Sequence, residues 1–224
     1  MAAYLLCLTS GSGLPVFTRT VGNVKTLPFP VIGSLNAVHM FAANHNTVLQ
    51  STTTKDARIV WREFRNSLIL ISVMGRDSST DDVHTGKLLE NVFDAMILLY
   101  GLDDLTNIKN VERFKKELKI CYRLIDTLIQ SPSLSLFCDV TNAVDILSPA
   151  DPTILQSFLD AFVEAADSPY GCLVVHGRVV VATSKWWELT ASELLLLSLL
   201  MVSFSPCSAR DVPIYLPQGS PTIP

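Results

Sequence analysis

The sequence contains little charge, and this scarcity excludes several classes of protein. Of its 224 residues 17% are charged, against about 25% in a typical soluble domain. Hydrophobic residues make up 49% and the mean hydropathy is +0.36, which excludes a disordered chain. With 17 Lys and Arg against 21 Asp and Glu, the net charge is −4, so the chain lacks the basic surface that nucleic-acid binding requires. The composition is typical of a protein that buries surface against partners.

Long apolar runs and signal patterns are also missing. The longest apolar stretch, Leu194–Phe204, spans about 11 residues and contains two serines, whereas a membrane helix needs roughly 20. Met1–Leu8 has no basic residue ahead of its apolar part, unlike a signal peptide. These patterns predict a cytosolic protein.

The cysteines lack the pattern of a disulfide framework or a metal site. They are odd in number, none has C-x-x-C spacing, and the chain has no Asn-x-Ser/Thr sequon. We interpret them as reduced, mostly buried thiols, with disulfides as the less favoured alternative. The five are Cys7, Cys121, Cys138, Cys172 and Cys207.

No motif for catalysis or cofactor binding is found. The segment Gly11-Ser12-Gly13 is not followed by the third glycine of a dinucleotide fingerprint and is better interpreted as a hairpin turn. There is no G-x-x-x-x-G-K-[ST] loop, no H-E-x-x-H pair, and no G-x-S-x-G context around Gly219-Ser220. The sequence therefore predicts no catalytic, cofactor-binding or metal-binding residues, and a protein that is not an enzyme.

Residues 1–130 are predicted to form the first of two α+β units. A hairpin precedes a helix that begins near Pro30 and ends near Ala43; three strands and two helices follow. The continuous apolar run Leu68–Ile71 predicts a central strand buried on both faces. The predicted strands are Tyr4–Leu8, Pro15–Thr20, Asn46–Thr53, Arg58–Arg65 and Leu68–Val73.

Two further helices complete the predicted first unit. One follows a capping-box pattern at Ser79–Asp82 and ends at Gly101. The other, Val111–Ile129, has apolar residues at spacings of three and four. A helix lying on a sheet explains this spacing better than a coiled coil, since the repeat covers fewer than three heptads.

Residues 131–150 are predicted to be a connector, and residues 151–224 a second unit that repeats the first. Its pattern is a helix from Asp151 to about Ala166, a hairpin around His176-Gly177, a helix Ala191–Phe204 and a last strand Val212–Leu216. With three strands where the first unit has five, the second unit is expected to be incomplete. A short isoform and an engineered fragment are both compatible with this pattern.

The helix between Pro30 and Ala43 is too apolar for a free surface, so some of its residues are candidates for partner binding. The alternative is that all of them face the unit's own sheet. His39 is interpreted as a core or interface residue rather than a catalytic base. The candidates are Ile32, Leu35, Val38, His39 and Phe41.

A second candidate surface is the basic cluster at the start of the helix Val111–Ile129. It would dock an anionic membrane or an acidic partner; the alternative is a solvated helix face, because Glu112 and Glu117 are interleaved. The cluster consists of Lys109, Arg113, Lys116 and Lys119, with Lys115 beside them.

The order of elements resembles the longin (profilin-like) fold, a five-stranded antiparallel sheet sandwiched by helices. Three stretches are similar to the tri-longin-domain family of planar cell polarity effectors, the CPLANE subunits. They run from Leu27-Pro28-Phe29 through Val31–Asn36 to Val38–Phe41, from Gly101-Leu102 through Leu105–Ile108 to Asn110–Arg113, and from Arg210-Asp211 through Tyr215-Leu216-Pro217 to Gly219–Thr222.

The resemblance implies a function in a complex. Members of this kind pair through longin domains with a second tri-longin protein, here Inturned, and join Wdpcp. The heterodimer would act as a guanine-nucleotide exchange factor for a ciliary Rab GTPase in ciliogenesis and planar cell polarity, in the cytoplasm at the cytoskeleton and cilium basal body. The alternative is a longin-type adaptor in vesicle trafficking or the cytoskeleton, without exchange activity.

Overall fold

The computed structural model describes residues 3–22, 26–76, 81–130 and 144–218, which belong to two compact units. Unit 1 comprises Met1–Leu134 together with Val212–Tyr215, and unit 2 comprises Ser135–Asp211 with Leu216–Pro224. Among the described helices, none combines the length and apolarity that a membrane span requires.

Unit 1 is built on an antiparallel sheet of five strands in the order β2-β1-β5-β4-β3. Leu68–Ile71 in the central strand is fully buried, which confirms the predicted central strand. β3 is shorter than predicted, since residues 46–50 form no strand and the Thr47 N–H instead donates to the Ala42 carbonyl at 3.0 Å. The strands are β1 Ala3–Thr9, β2 Pro15–Val21, β3 Ser51–Thr53, β4 Ala57–Phe64 and β5 Leu68–Gly75.

Helices cover both faces of this sheet. On one face α1 (Phe29–Asn44) packs Ile32 and Leu35 into a core that contains Trp61 and Ile71. On the other, Phe93 stacks on Phe64 at a ring-centroid distance of 4.3 Å. The helices of that second face are α2 Asp82–Tyr100, α3 Leu102–Thr106, α4 Val111–Glu117 and α5 Tyr122–Gln130. The unit therefore has the predicted α+β sandwich.

Asp81 begins α2 as its N-cap. Its carboxylate accepts the His84 N–H at 2.7 Å, and this backbone hydrogen bond is the main reason that the pKa of Asp81 is lowered. The predicted capping box begins at Ser79, which lies outside the described residues. Asp82 is the first helical residue and pairs with Arg58 at 2.8 Å.

The predicted single helix Val111–Ile129 is divided in the structure. A 3₁₀ turn, Leu118–Cys121, separates α4 from α5. In a 3₁₀ turn residues i and i+3 are eclipsed, so Leu118 and Cys121 point the same way, and both are fully buried. The segment lies on the sheet, as predicted, with Phe17 of β2 against Tyr122 at 5.7 Å.

Unit 2 contains a two-stranded hairpin with helices before and after it. The turn His176-Gly177 has φ values of 51° and 76°, the conformation of a type I′ hairpin turn. A capping box of Thr190 and Glu193 begins α8. The elements are α6 Pro152–Ala165, β6 Cys172–Val175, β7 Arg178–Ala182, α7 Ser184–Trp187 and α8 Ala191–Ser203.

The prediction of a last strand at Val212–Leu216 is wrong. No strand is assigned in this segment, and Val212–Tyr215 belongs to unit 1, where the Tyr215 N–H donates to the Leu98 carbonyl at 2.9 Å. Pro213 and Pro217 have no N–H to offer a strand ladder, which explains the difference.

Candidate partner-binding surface

α1 combines a core-facing side with a side exposed to solvent. None of its sixteen residues is charged, whereas a surface helix normally carries charge opposite its apolar stripe. Asn36 of α1 lies close to Gly13 in the β1–β2 turn. There φ is +63°, and a Cβ would lie 2.1 Å from the Asn36 side-chain nitrogen.

The inner side of α1 completes the unit's own core. Ile32, Leu35 and His39 are all buried. The His39 Nε2 lies 3.8 Å from a Glu63 carboxylate oxygen on β4. These three predicted residues therefore fill the fold and present little surface to a partner.

The outer side of α1 is apolar and exposed. Val38 is 50% exposed and Phe41 is 67% exposed, and the Phe41 ring contacts the His45 ring at a centroid distance of 4.5 Å. Phe29, Val31 and Met40 are also exposed. We call Phe29, Val31, Val38, Met40 and Phe41 the α1 outer face. Several exposed large apolar side chains on one uncharged helix are typical of interaction sites in monomeric proteins.

Sequence reasoning identified only part of this face. Val38 and Phe41 were predicted, whereas Phe29, Val31 and Met40 were not. The available signal was the absence of charge around the whole helix. Spacing alone could not separate inner from outer positions, because both sides of the helix are apolar.

β2 provides a sheet edge in the same unit. Its Arg19 side chain forms a two-pronged ion pair with Asp126 of α5 and lies 4.9 Å from the Tyr122 ring centroid. Thr18 and Thr20, whose side chains alternate with that of Arg19 along the strand, are exposed. The seven-residue β2 edge is long enough for strand addition, whereas β3 at the other edge has three residues.

The predicted basic cluster is partly neutralised in the structure. Arg113 pairs with Glu117 at 2.6 Å and Lys115 with Glu112 at 2.7 Å. Lys109, Lys116 and Lys119 are exposed, and within the described part of the chain no ion pair is recorded for them. These three remain as the cationic component of the predicted docking face.

A polar cleft of about 830 Å³ adjoins this cluster. Asp103, Lys109 and Arg113 are among its lining residues, so its charge is mixed. The Tyr100 hydroxyl donates to Glu117 at 2.7 Å. Burial, followed by this bond and the charge of Glu117, raises the pKa of Tyr100 to about 12. The Tyr100 hydroxyl therefore stays protonated at neutral pH and acts as a hydrogen-bond donor to Glu117.

The described residues include cysteines and potential metal ligands. Burial raises the pKa of the Cys121 thiol to about 12 and raises that of Cys7 as well, so neither is a thiolate at neutral pH. Within residues 3–22, 26–76, 81–130 and 144–218, no three His, Cys, Asp or Glu residues are grouped as metal ligands. The α1 outer face is therefore the strongest candidate for a site among the described residues, as a candidate binding surface.

Comparison with known families agrees with the fold of unit 1. A family profile described as the first longin domain of FUZ, MON1 and HPS1 matches residues 3–128. The chain belongs to this longin family. A second profile, described as the second longin domain of FUZ, MON1 and HPS1, matches residues 166–224. The longin fold class predicted by resemblance is thus confirmed.

Individual relatives match almost the whole chain. It is 51% identical over 100% of its length to protein fuzzy homolog of Xenopus tropicalis. The identity is 45% over 99% for the Homo sapiens protein and 44% over 99% for that of Mus musculus. These matches cover 53%, 53% and 54% of the relatives, so the chain spans about half their length.

Proposed function

We propose that the chain is a non-catalytic subunit of a heterodimeric guanine-nucleotide exchange complex for a ciliary Rab GTPase. It pairs with Inturned through longin domains, joins Wdpcp, and acts in ciliogenesis and planar cell polarity at the cilium basal body and cytoskeleton. We assign residues 1–130 to the first longin domain, 131–150 to a connector, and 151–224 to the N-terminal part of the second, with the exception of Val212–Tyr215, which belongs to unit 1.

The observation that carries this proposal is the α1 outer face. It exposes large apolar side chains on a helix without a single charged residue, and covering them with a partner is favourable by about 25 cal/mol per Å² of apolar area. The β2 edge supplies main-chain groups in the same unit. A helix face and a sheet edge together suit another longin domain, which has both.

An exchange factor of this kind needs no catalytic side chain of its own. It accelerates nucleotide release because it binds the nucleotide-free GTPase more tightly than the nucleotide-bound form. A candidate binding surface such as the α1 outer face is what that mechanism requires.

The pairing is tested by co-expressing the 224-residue chain with Inturned and analysing the product by size-exclusion chromatography. We expect a 1:1 complex with the unmodified chain and its loss with Phe41→Asp, because a buried unpaired carboxylate opposes association. Val48→Asp is the matched control, since Val48 is 84% exposed and lies outside α1.

Circular dichroism distinguishes a variant that has lost partner binding from one that has lost its fold. Loss of the complex with a folded Phe41→Asp chain supports the proposed face, whereas equal loss with Val48→Asp, or no loss with either, contradicts it.

A complex that binds Rab without accelerating nucleotide release would favour the adaptor function. Salt-sensitive binding to anionic liposomes that disappears with Lys116→Glu and Lys119→Glu would support membrane docking by the basic cluster.

A further inference from the structure

A segment from a distant part of the chain closes over the end of α2. Val212–Tyr215 belongs to unit 1, although the residues on either side of it belong to unit 2. Its Tyr215 N–H donates to the Leu98 carbonyl of α2 at 2.9 Å. We call Val212–Tyr215 the strap.

The strap completes the C-terminal cap of α2. The last four carbonyls of an α-helix have no partner within the helix, and in α2 they belong to residues 97–100. The Ile97 carbonyl accepts the Gly101 N–H at 2.8 Å, and the Leu98 carbonyl accepts the Tyr215 N–H. One of these otherwise unpaired carbonyls is therefore satisfied by the strap.

The Tyr215 ring also contacts this end of the helix. A Cβ built at Gly101 would lie 3.6 Å from the Cγ, Cδ1 and Cε1 atoms of the ring, which is the separation of carbon atoms in van der Waals contact. The ring therefore packs beside the Gly101 backbone. We call the Leu98 carbonyl and Gly101 together the strap seat.

The sequence of the strap favours an extended backbone before it docks. Pro213 and Pro217 have fixed φ angles, and each restricts the residue before it, Val212 and Leu216, to extended conformations. A segment that is already extended loses less conformational entropy when it closes. Closing and opening are therefore both accessible to it.

The contacts that hold the strap are few. Ile214 is 45% exposed and Tyr215 is 44% exposed, whereas Leu98 is fully buried. Among the described residues, the bond from Tyr215 to Leu98 is the only backbone hydrogen bond recorded between the strap and the rest of unit 1. Segments with few buried contacts open locally at a lower free energy than global unfolding requires.

We propose that Val212–Tyr215 is a reversible strap that closes on the strap seat and braces the end of α2. When the strap opens, the Leu98 carbonyl loses its partner and the last turn of α2 loosens. That turn carries Tyr100, whose hydroxyl donates to Glu117 in the polar cleft beside the basic cluster. The position of the strap is thereby transmitted to the cleft.

Hydrogen–deuterium exchange at single-amide resolution tests the strap in the unmodified 224-residue chain. After correction for intrinsic rates, the Tyr215 amide should exchange more slowly than that of Ile214. It should exchange at least about tenfold faster than the amide of Leu70 in the central strand, because local opening exposes it. Exchange at the Leu70 rate would make the segment a fixed part of unit 1, and exchange at the Ile214 rate would show that it does not close; either result overturns the proposal.

Three variants identify the contact responsible. Tyr215→Ala keeps the backbone N–H but removes the ring, and should accelerate hydrogen exchange at residues 215 and 101 by about tenfold or more because the ring contact is lost. Tyr215→Phe keeps the ring and should leave both rates unchanged. Tyr170→Ala is the matched control, since Tyr170 is 43% exposed in unit 2, and it should also leave both rates unchanged.

The variants can contradict the proposal in two ways. Unchanged hydrogen exchange at residue 215 in Tyr215→Ala, or equal acceleration in Tyr170→Ala, would show that the ring does not hold the strap. Acceleration at residue 215 without any change at Gly101 would show that the strap does not brace α2. The Leu70 amide checks that each variant is folded, and the comparison within the unmodified chain needs no variant.

Discussion

Leu35 and Phe41 lie on opposite sides of α1, and replacing each with alanine should have very different effects on stability. Leu35 is 8% exposed in the core. Its truncation removes three buried carbon groups at about 0.8 kcal/mol each and leaves part of a cavity, so we expect a loss of about 3 kcal/mol. Phe41 is 67% exposed, and its remaining contacts contribute about 1 kcal/mol, part of which the better helix propensity of alanine offsets.

Urea unfolding measures this difference. Trp61 is 1% exposed in the same core. It reports on unit 1 by fluorescence in a chain whose other two tryptophans, Trp186 and Trp187 of unit 2, are replaced by phenylalanine, and circular dichroism provides a second probe. With a slope of about 2 kcal/mol per M, Leu35→Ala should lower the midpoint by about 1.5 M and Phe41→Ala by less than about 0.5 M.

The same two variants should have the opposite order in partner binding. Phe41→Ala should weaken the proposed complex with Inturned by about tenfold or more, as truncation of an aromatic interface anchor does, whereas folded Leu35→Ala should bind nearly normally. If Phe41→Ala instead destabilised the chain as much as Leu35→Ala, Phe41 would be a core residue. The assignment of an outer face would then be refuted.

Three further predictions concern other parts of the structure. Gly101 has φ 90° and ψ 149°, so Gly101→Ala should destabilise unit 1 by about 1–3 kcal/mol in the same urea assay; an unchanged midpoint would argue against this backbone. In an absorbance titration Tyr100 should ionise near pH 12 rather than 10.0, and Glu117→Gln should lower that pKa because it removes the negative neighbour. Since the folded pKa is raised, the stability linked to Tyr100 should be lost as the pH rises between about 10 and 12. A thiol reagent should label the exposed Cys207 in the native protein but reach the buried Cys121 only on unfolding, and fast native labelling of Cys121 would contradict the burial.

The partner-binding candidates show where sequence reasoning stopped. A helix of sixteen residues without charge is visible in the sequence and indicates that more than one side is covered. Which residues lie on which side depends on how α1 sits on β1, β4 and β5. In that placement α1 packs on Trp61 and Ile71 and its Asn36 side chain lies close to Gly13, and all three of these residues lie outside α1.

Shorter elements were missed for a different reason. α3 has five residues and α7 has four, too few for a helical period to be recognised. Each contains one buried large side chain, Leu105 in α3 and Trp186 in α7. Tertiary packing rather than intrinsic propensity therefore stabilises these helices.

The sequence by itself determined the α+β class, the central strand Leu68–Ile71, the repeated order of hairpin and helix, and the longin resemblance. These depend on local periodicity, turn residues and composition, which act over a few positions. Only the tertiary structure decided that Val212–Tyr215 pairs with the end of α2, that Ile32 and Leu35 lie inside, and that the α1 outer face remains exposed. Each of these depends on contacts between residues far apart in the chain, and the hydrophobic effect that drives them has no direction of its own.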